Sequence, residues 1–338
     1  MGWIIKGVGV VLLLAVALTV VALAMESLAQ RRDAALYPPP GRMIAVDGRK
    51  MHLRCLGQGG PTVVLEAGGG NPALLAFPVQ ERVARVTRVC SYDRAGLGWS
   101  DPAPDGRTFE DRARELHALL AAAGEPGPYV LAGESFGGLV ARTFTRLYPN
   151  EVAGLVLVDA AEEQFFFGKL AKFQAERGRA KAYALAARLG LTRWLIVHQP
   201  VQAGLPPGMS LEDRRRFAAL FSRPAHMAAL PQEVDAYELA PPEQRVAGGF
   251  GGLGDRPLAV IAHGRPFVGP QAWMEDGWSA GQARLAGLST DSEMVVATQS
   301  GHAIAQTEPD LVADVIGRIV GKARVSLSSP VHGGGGPA

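Results

Sequence analysis

Six apolar runs constrain this chain more than any other feature: "PTVVLEAGGG", "TRVCSYDRAGLG", "PYVLAG", "VAGLVLVDA", "RPLAVIAHG" and "SEMVVATQSGH". In most of them the apolar residues are continuous instead of alternating, as in strands covered on both faces. Helix-patterned segments stand between them, among them "PALLAFPVQERVARV" and "TFEDRARELHALLAAAG". Strands alternating with helices in this way predict an α/β fold with a mostly parallel sheet and helices on both faces. A hairpin, "MIAVDG" followed by "RKMHLRCLG", precedes the first run.

The chain divides further. Residues 1–36 form an N-terminal segment, and "YPPPG" at 37–41 cannot continue a helix. The sheet-forming core occupies 37–160 and 255–322. Between them, 161–254 is rich in helical stretches broken by Pro and Gly and reads as an inserted helical cap, closed by the flexible junction "GGFGGLG". Residues 323–338 are expected to be a disordered tail.

The N-terminal segment contains "GVGVVLLLAVALTVVALAM", nineteen uncharged residues, close to the length that crosses a hydrocarbon core. An uncleaved membrane anchor is favoured. A cleaved leader is the competing reading, with small-residue sites at 22–24 and 27–29. Positive charges before and after the stretch nearly balance, so the side of the membrane rests on the two cysteines. Cys55 and Cys90 lie in strand-like runs and are either a disulfide, which would suit an oxidising compartment, or two buried thiols. Net charge is +2 with basic and acidic residues interspersed, so no nucleic-acid footprint is present. Oligomeric state is not encoded in any motif.

Chemistry concentrates at "YVLAGESFGGLVARTFTRLYP". A strand, a sharp G-x-S-x-G turn and a helix place Ser135 as a candidate nucleophile, with the amide of Phe136 aimed by the helix start at developing negative charge. Gly69 in "EAGGGN" is the expected second oxyanion donor, with Gly70 in reserve. Serine needs a base, and His302 follows the last strand and comes after the serine in the chain. His263, in an apolar run, reads as a core histidine; His52, His117, His198 and His226 lack a comparable turn, and His332 is in the tail. For the acid, Asp159 at the end of "GLVLVDA" is preferred and Asp276 in "WMEDGW" is the alternative. Asp93 and Arg94 in "DRAGLGWS" read as a hydrogen-bonded turn near the site.

"LEAGGG", "SYDRAGLGWSDP", "PYVLAGESFGGLVAR", "LYPNEVAGLVLVDA" and "SGHAIAQTEPDLVADVI" together resemble the α/β-hydrolase fold superfamily, in particular its bacterial serine hydrolases with an N-terminal anchor. The resemblance covers about residues 40–322 apart from the insertion. It implies Ser135 as nucleophile, His302 as base, Phe136 and Gly69 as oxyanion donors, and a cap over the site. It also implies neighbouring strands for Cys55 and Cys90, which favours the disulfide. Glu134 stands where many relatives have His, and the usual late acid is missing.

Hydrolysis of a carboxylic ester is the function expected from these residues, with a small-molecule ester as substrate and no cofactor or metal. Rival readings are a cofactor-free haloperoxidase or carbon-carbon lyase on the same triad, a peptidase-like enzyme holding an amine with Glu162 or Glu163, and a catalytically silent membrane-tethered binding protein. "QFFFGKL" at 164–170 and Trp194 are candidates for an acyl pocket, although packing between cap helices is favoured.

Overall fold

In the computed structural model the described residues are 2–200, 205, 209–246 and 248–328. They contain helices α1 (Gly2–Leu36), α2 (Phe77–Val83), α3 (Phe109–Ala123), α4 (Phe136–Leu147), α5 (Glu163–Gly168), α6 (Leu170–Arg188), α7 (Leu191–His198), α8 (Leu211–Phe221), α9 (Pro224–Leu239), α10 (Glu275–Ala286), α11 (Ile304–Thr307) and α12 (Pro309–Ser328). The strands are β1 (Arg42–Val46), β2 (Arg49–Leu56), β3 (Thr62–Glu66), β4 (Val89–Tyr92), β5 (Tyr129–Glu134), β6 (Val152–Val158), β7 (Leu258–His263) and β8 (Ser292–Ala297).

The strands form one eight-stranded sheet in the order β1-β2-β4-β3-β5-β6-β7-β8. β1 and β2 pair antiparallel through a tight turn in which Asp47 and Gly48 both have positive φ. That turn matches the twist of the two strands, which is why a hairpin forms there. β2 and β4 are also antiparallel neighbours, and the remaining pairs are parallel. Cys55 faces Cys90 across β2 and β4 and the two are joined in a disulfide, the pairing that the resemblance implied.

The continuous apolar character of the central strands has its expected cause. Leu131, Leu155, Leu157 and Val260 pack against α3 and α4 on one face, while Val130, Val156, Val158 and Ile261 pack against α2 and α12 on the other. α3 shows how sequence sets the helix ends. Thr108 and Asp111 close a capping box at its start, and Gly124, at φ 72°, ends it in the left-handed conformation.

Helices α5 to α9 lie between β6 and β7 in the chain, and α9 reaches the loops at the carboxyl edge of the sheet through Glu233. α12 runs to Ser328, six residues past 322, because Val320 and Ala323 keep its apolar face on the sheet; this corrects the start expected for the disordered tail. The rest of that tail, with His332, lies outside the described residues.

Candidate active site

A parallel sheet brings the carboxyl ends of its strands to one edge, and the candidate residues come from three of them. Ser135 follows β5 at φ 49° and ψ −120°, a backbone state that a side chain rarely adopts. Neighbouring backbone holds it there: its amide donates to Val158 O at 3.1 Å, and its carbonyl accepts from Ala161 N at 2.9 Å. Gly133 and Gly137 permit the turn, since a Cβ at Gly133 would come 2.6 Å from Gly137 O and one at Gly137 would come 2.4 Å from Glu66 O. Asp159, one strand further, is likewise at positive φ, 43°, and its amide donates to Ile261 O at 2.7 Å.

His302, on the loop after β8, joins the two. Its Nε2 lies 3.1 Å from Ser135 Oγ and its Nδ1 lies 2.6 Å from Asp159 Oδ2. Asp159 is fully buried. Its Oδ1 accepts from Trp278 Nε1 at 2.8 Å, and His263 Nδ1 lies 2.8 Å from Oδ2. Burial pushes this carboxyl up, but the bonds from His263 and His302 outweigh it and hold the group at about 2. Trp278 and Phe267 flank the His302 ring at 5.2 and 5.1 Å between centroids, which fixes its plane. An imidazole oriented by a carboxylate and bonded to a hydroxyl has the geometry to accept that hydroxyl's proton.

The glycine loop after β3 faces this group. Phe136 opens α4, so its amide has no acceptor within the helix. Gly69 lies beside it, since a Cβ there would come 3.4 Å from the Phe136 Cβ. Gly70, the reserve donor, has its amide bound to Glu233 Oε2 at 2.5 Å, which leaves Gly69 as the better placed of the two.

A buried charge network supports the loop from below and above. Arg94 donates to Ala67 O at 2.7 Å and to Gly68 O at 2.8 Å, and it pairs with Glu66 on β3 and Glu233 on α9. Burial acts against the charge on Glu233, but Arg94 and Arg112 overcome it and keep the carboxyl low. His226, also on α9, adds a second tie: its Nδ1 accepts from Gly98 N at 3.1 Å and its Nε2 lies 3.0 Å from Gly70 O. Asp93 accepts from Ala73 N at 2.7 Å and Trp99 N at 3.1 Å, so Asp93 and Arg94 organise turns, as their sequence context suggested.

Other expectations fall outside the site. Asp276 sits at a kink in α10 with its side chain 94% exposed, paired with Lys169 at 3.2 Å, and does not meet His302. Glu163 is bound bidentately by Arg142 at 2.6 and 3.0 Å, and Glu162 caps α5 and pairs with Arg284. Neither is left to hold a substrate amine. Phe165 and Phe166 are buried among Trp278 and other rings, the packing role favoured for them, whereas Trp194 is 55% exposed.

Sequence reasoning missed three contributors. His263 was read as core, but it binds Asp159 and also lies 3.3 Å from Glu275 Oε2. Its place at the carboxyl end of β7, beside the end of β6, was the available signal. Trp278 and Glu233 carried no local signal, because each meets the site from a distant helix.

A family model described as the α/β hydrolase fold matches residues 61–190. YbdG, an uncharacterized protein of Bacillus subtilis strain 168, is 26% identical over 167 residues, 48% of this chain and 51% of that protein. The chain spans about half the length, or less, of the first curated relatives it matches. Among solved structures, a malate-bound thermophilic esterase from Thermogutta terrifontis superposes with a TM-score of 0.61 at 22% identity, covering 83% of this chain and 97% of that one. A membrane phospholipase A described as a bacterial virulence factor superposes at 0.60 and 20% identity, covering 96% and 99%. At these identities the likeness is one of fold. The family match over residues 61–190, the strand order and the strand-to-helix turn agree that this chain has the α/β-hydrolase fold.

Proposed function

We propose that the chain is a serine hydrolase of carboxylic esters, held at a membrane by α1, with Ser135 as nucleophile, His302 as base and Asp159 as the acid that orients it. The observation that carries this reading is the position of His302, bridging Ser135 Oγ and Asp159 Oδ2 at 3.1 and 2.6 Å.

In this reading the Ser135 proton passes to His302 Nε2 as Oγ attacks the ester carbonyl carbon. The carbonyl π pair moves onto oxygen, where the amides of Phe136 and Gly69 receive the charge. The carbon–oxygen bond to the alcohol breaks, and Nε2 returns its proton to the leaving oxygen. Water then enters, gives a proton to Nε2, and releases the acid by the reverse sequence. Asp159 keeps its charge throughout, consistent with the bonds that hold its carboxyl at about 2.

α1 is long and apolar enough to cross a membrane, with its apolar window fully uncovered. The Cys55–Cys90 disulfide supports a body on the oxidising side. A fluorophosphonate probe tests the reading: stoichiometric labelling of the native chain and none of Ser135→Ala is expected. Absence of labelling, or ester turnover that survives Ser135→Ala, would refute it, and turnover of peroxide or cyanohydrin in preference to esters would favour the rival chemistries.

A further inference from the structure

α1 does not end with its apolar stretch. From Glu26 onward it lies against the cap: Glu26, only 4% exposed, accepts from Arg193 Nε at 2.9 Å and Nη2 at 2.7 Å, and Asp33 pairs with the same guanidinium. The turn between α6 and α7 meets α1 at this point. Gly190 has φ 74° there, and a Cβ on it would come 3.3 Å from Glu26 Oε2. The helix runs unbroken through both small-residue sequences at 22–24 and 27–29 and uses the residues beyond them for docking.

This contact fixes a height. The apolar run ends at Met25, and Glu26 and Asp33, the two residues that meet Arg193, lie about 1.5 and 12 Å beyond it along the helix, so the α6–α7 contact begins where the run ends. The headgroup layer on each side of a bilayer is about 5 to 7 Å deep. Leu191, 57% exposed, and Trp194, 55% exposed, flank Arg193, and Arg188 on α6 and Arg31 and Arg32 on α1 are also exposed. Exposed apolar and aromatic residues interleaved with arginine are what an anionic lipid surface takes up. The opposite side of α7 faces inward, where Ile196 packs with Leu74 and Leu75 just after the glycine loop. Helix α7 thus joins the exposed edge to Leu74 and Leu75.

We propose that the cap edge centred on Leu191 and Trp194 is seated in the lipid headgroup layer, and that the substrates are esters with an apolar tail drawn from the bilayer. The second part rests on the ester-hydrolase reading; the first does not. A lipid surface is favoured over a second copy of the chain because the edge is continuous with the span, through α1.

The test uses the full chain reconstituted in vesicles of phosphatidylcholine and phosphatidylglycerol. Two esters are assayed: a short-chain soluble chromogenic ester and a long-chain fluorogenic ester dispersed in the bilayer. The double variant Leu191→Ser/Trp194→Ser is expected to lose about tenfold on the bilayer ester and to stay within about twofold on the soluble one, since it removes interfacial anchoring alone. Quenching by brominated lipid, compared between the native chain and Trp194→Phe, reads the seating directly and does not depend on activity. Equal loss on both esters, no loss on either, or no quenching difference would overturn the proposal, as would Trp194 cross-linking to a second copy without quenching. A native chain that hydrolyses neither ester but shows the quenching difference would sink the ester-hydrolase reading and leave the seating standing.

Discussion

Ser135 and Asp159 are held by backbone, whereas α9 reaches the same sheet edge through side chains. The first two sit at positive φ and are pinned by main-chain bonds to neighbouring strands. The second is tied by His226 to Gly70 and by Glu233 to Arg94 and Gly70. Backbone bonds do not titrate, and their geometry follows from strand pairing. Side-chain ties between buried charges do titrate, and removing one partner leaves the other uncompensated. Ser135 and Asp159 therefore rest on backbone geometry, and α9 rests on ties that conditions can change.

The sharpest test of the rigid side is Ser135→Ala, expected to lower kcat on a soluble ester by about 10⁴-fold or more with an unchanged melting temperature. Asp159→Asn follows, with a fall of about 10³- to 10⁴-fold, while Asp276→Asn should stay near native; steady-state kinetics of the two variants side by side would reverse the assignment of the acid if only the second fell. Reduction of Cys55–Cys90, well away from the edge, should destabilise the chain by about 4 kcal/mol on loop-closure grounds and leave kcat alone, read by denaturant unfolding with and without reductant.

On the cap side, Glu233→Gln should cost about 3 kcal/mol and lower kcat by about tenfold or more through the glycine loop. A loss of stability with no change in kcat would separate the tie from the proposed oxyanion donors.

The last expected effect, without a change in kcat, is on the pH dependence of stability. His226 is buried and accepts a bond from Gly98 N, so burial lowers its pKa to about 4, outweighing the pull of Asp93 and Glu233. A histidine lowered in the folded state binds its proton more readily when unfolded. Its stabilising contribution is complete above about pH 6.5, is lost as pH falls from there, and levels off below about pH 4, on the order of 3 kcal/mol in all. Unfolding free energies from pH 4 to 7 for the native chain and His226→Gln should differ in slope across that window. Equal slopes would remove His226 from the comparison.

The sequence by itself determined the parallel sheet, the serine turn and the strand ends that carry Asp159 and precede His302. These are written in local patterns: continuous apolar runs, glycines at a crowded turn, and a capping box at Thr108. Only the tertiary structure decided that Asp159 and not Asp276 meets His302, that Gly70 is already bound, and that His263 shares the buried carboxylate. It also decided how the cap and α1 engage the core. The reason is distance along the chain. Glu233 finds Arg94 across 139 residues, His226 finds Gly70 across 156, and Arg193 finds Glu26 across 167. Such pairs are set by how whole elements pack, and a periodicity of two or 3.6 residues holds no record of that.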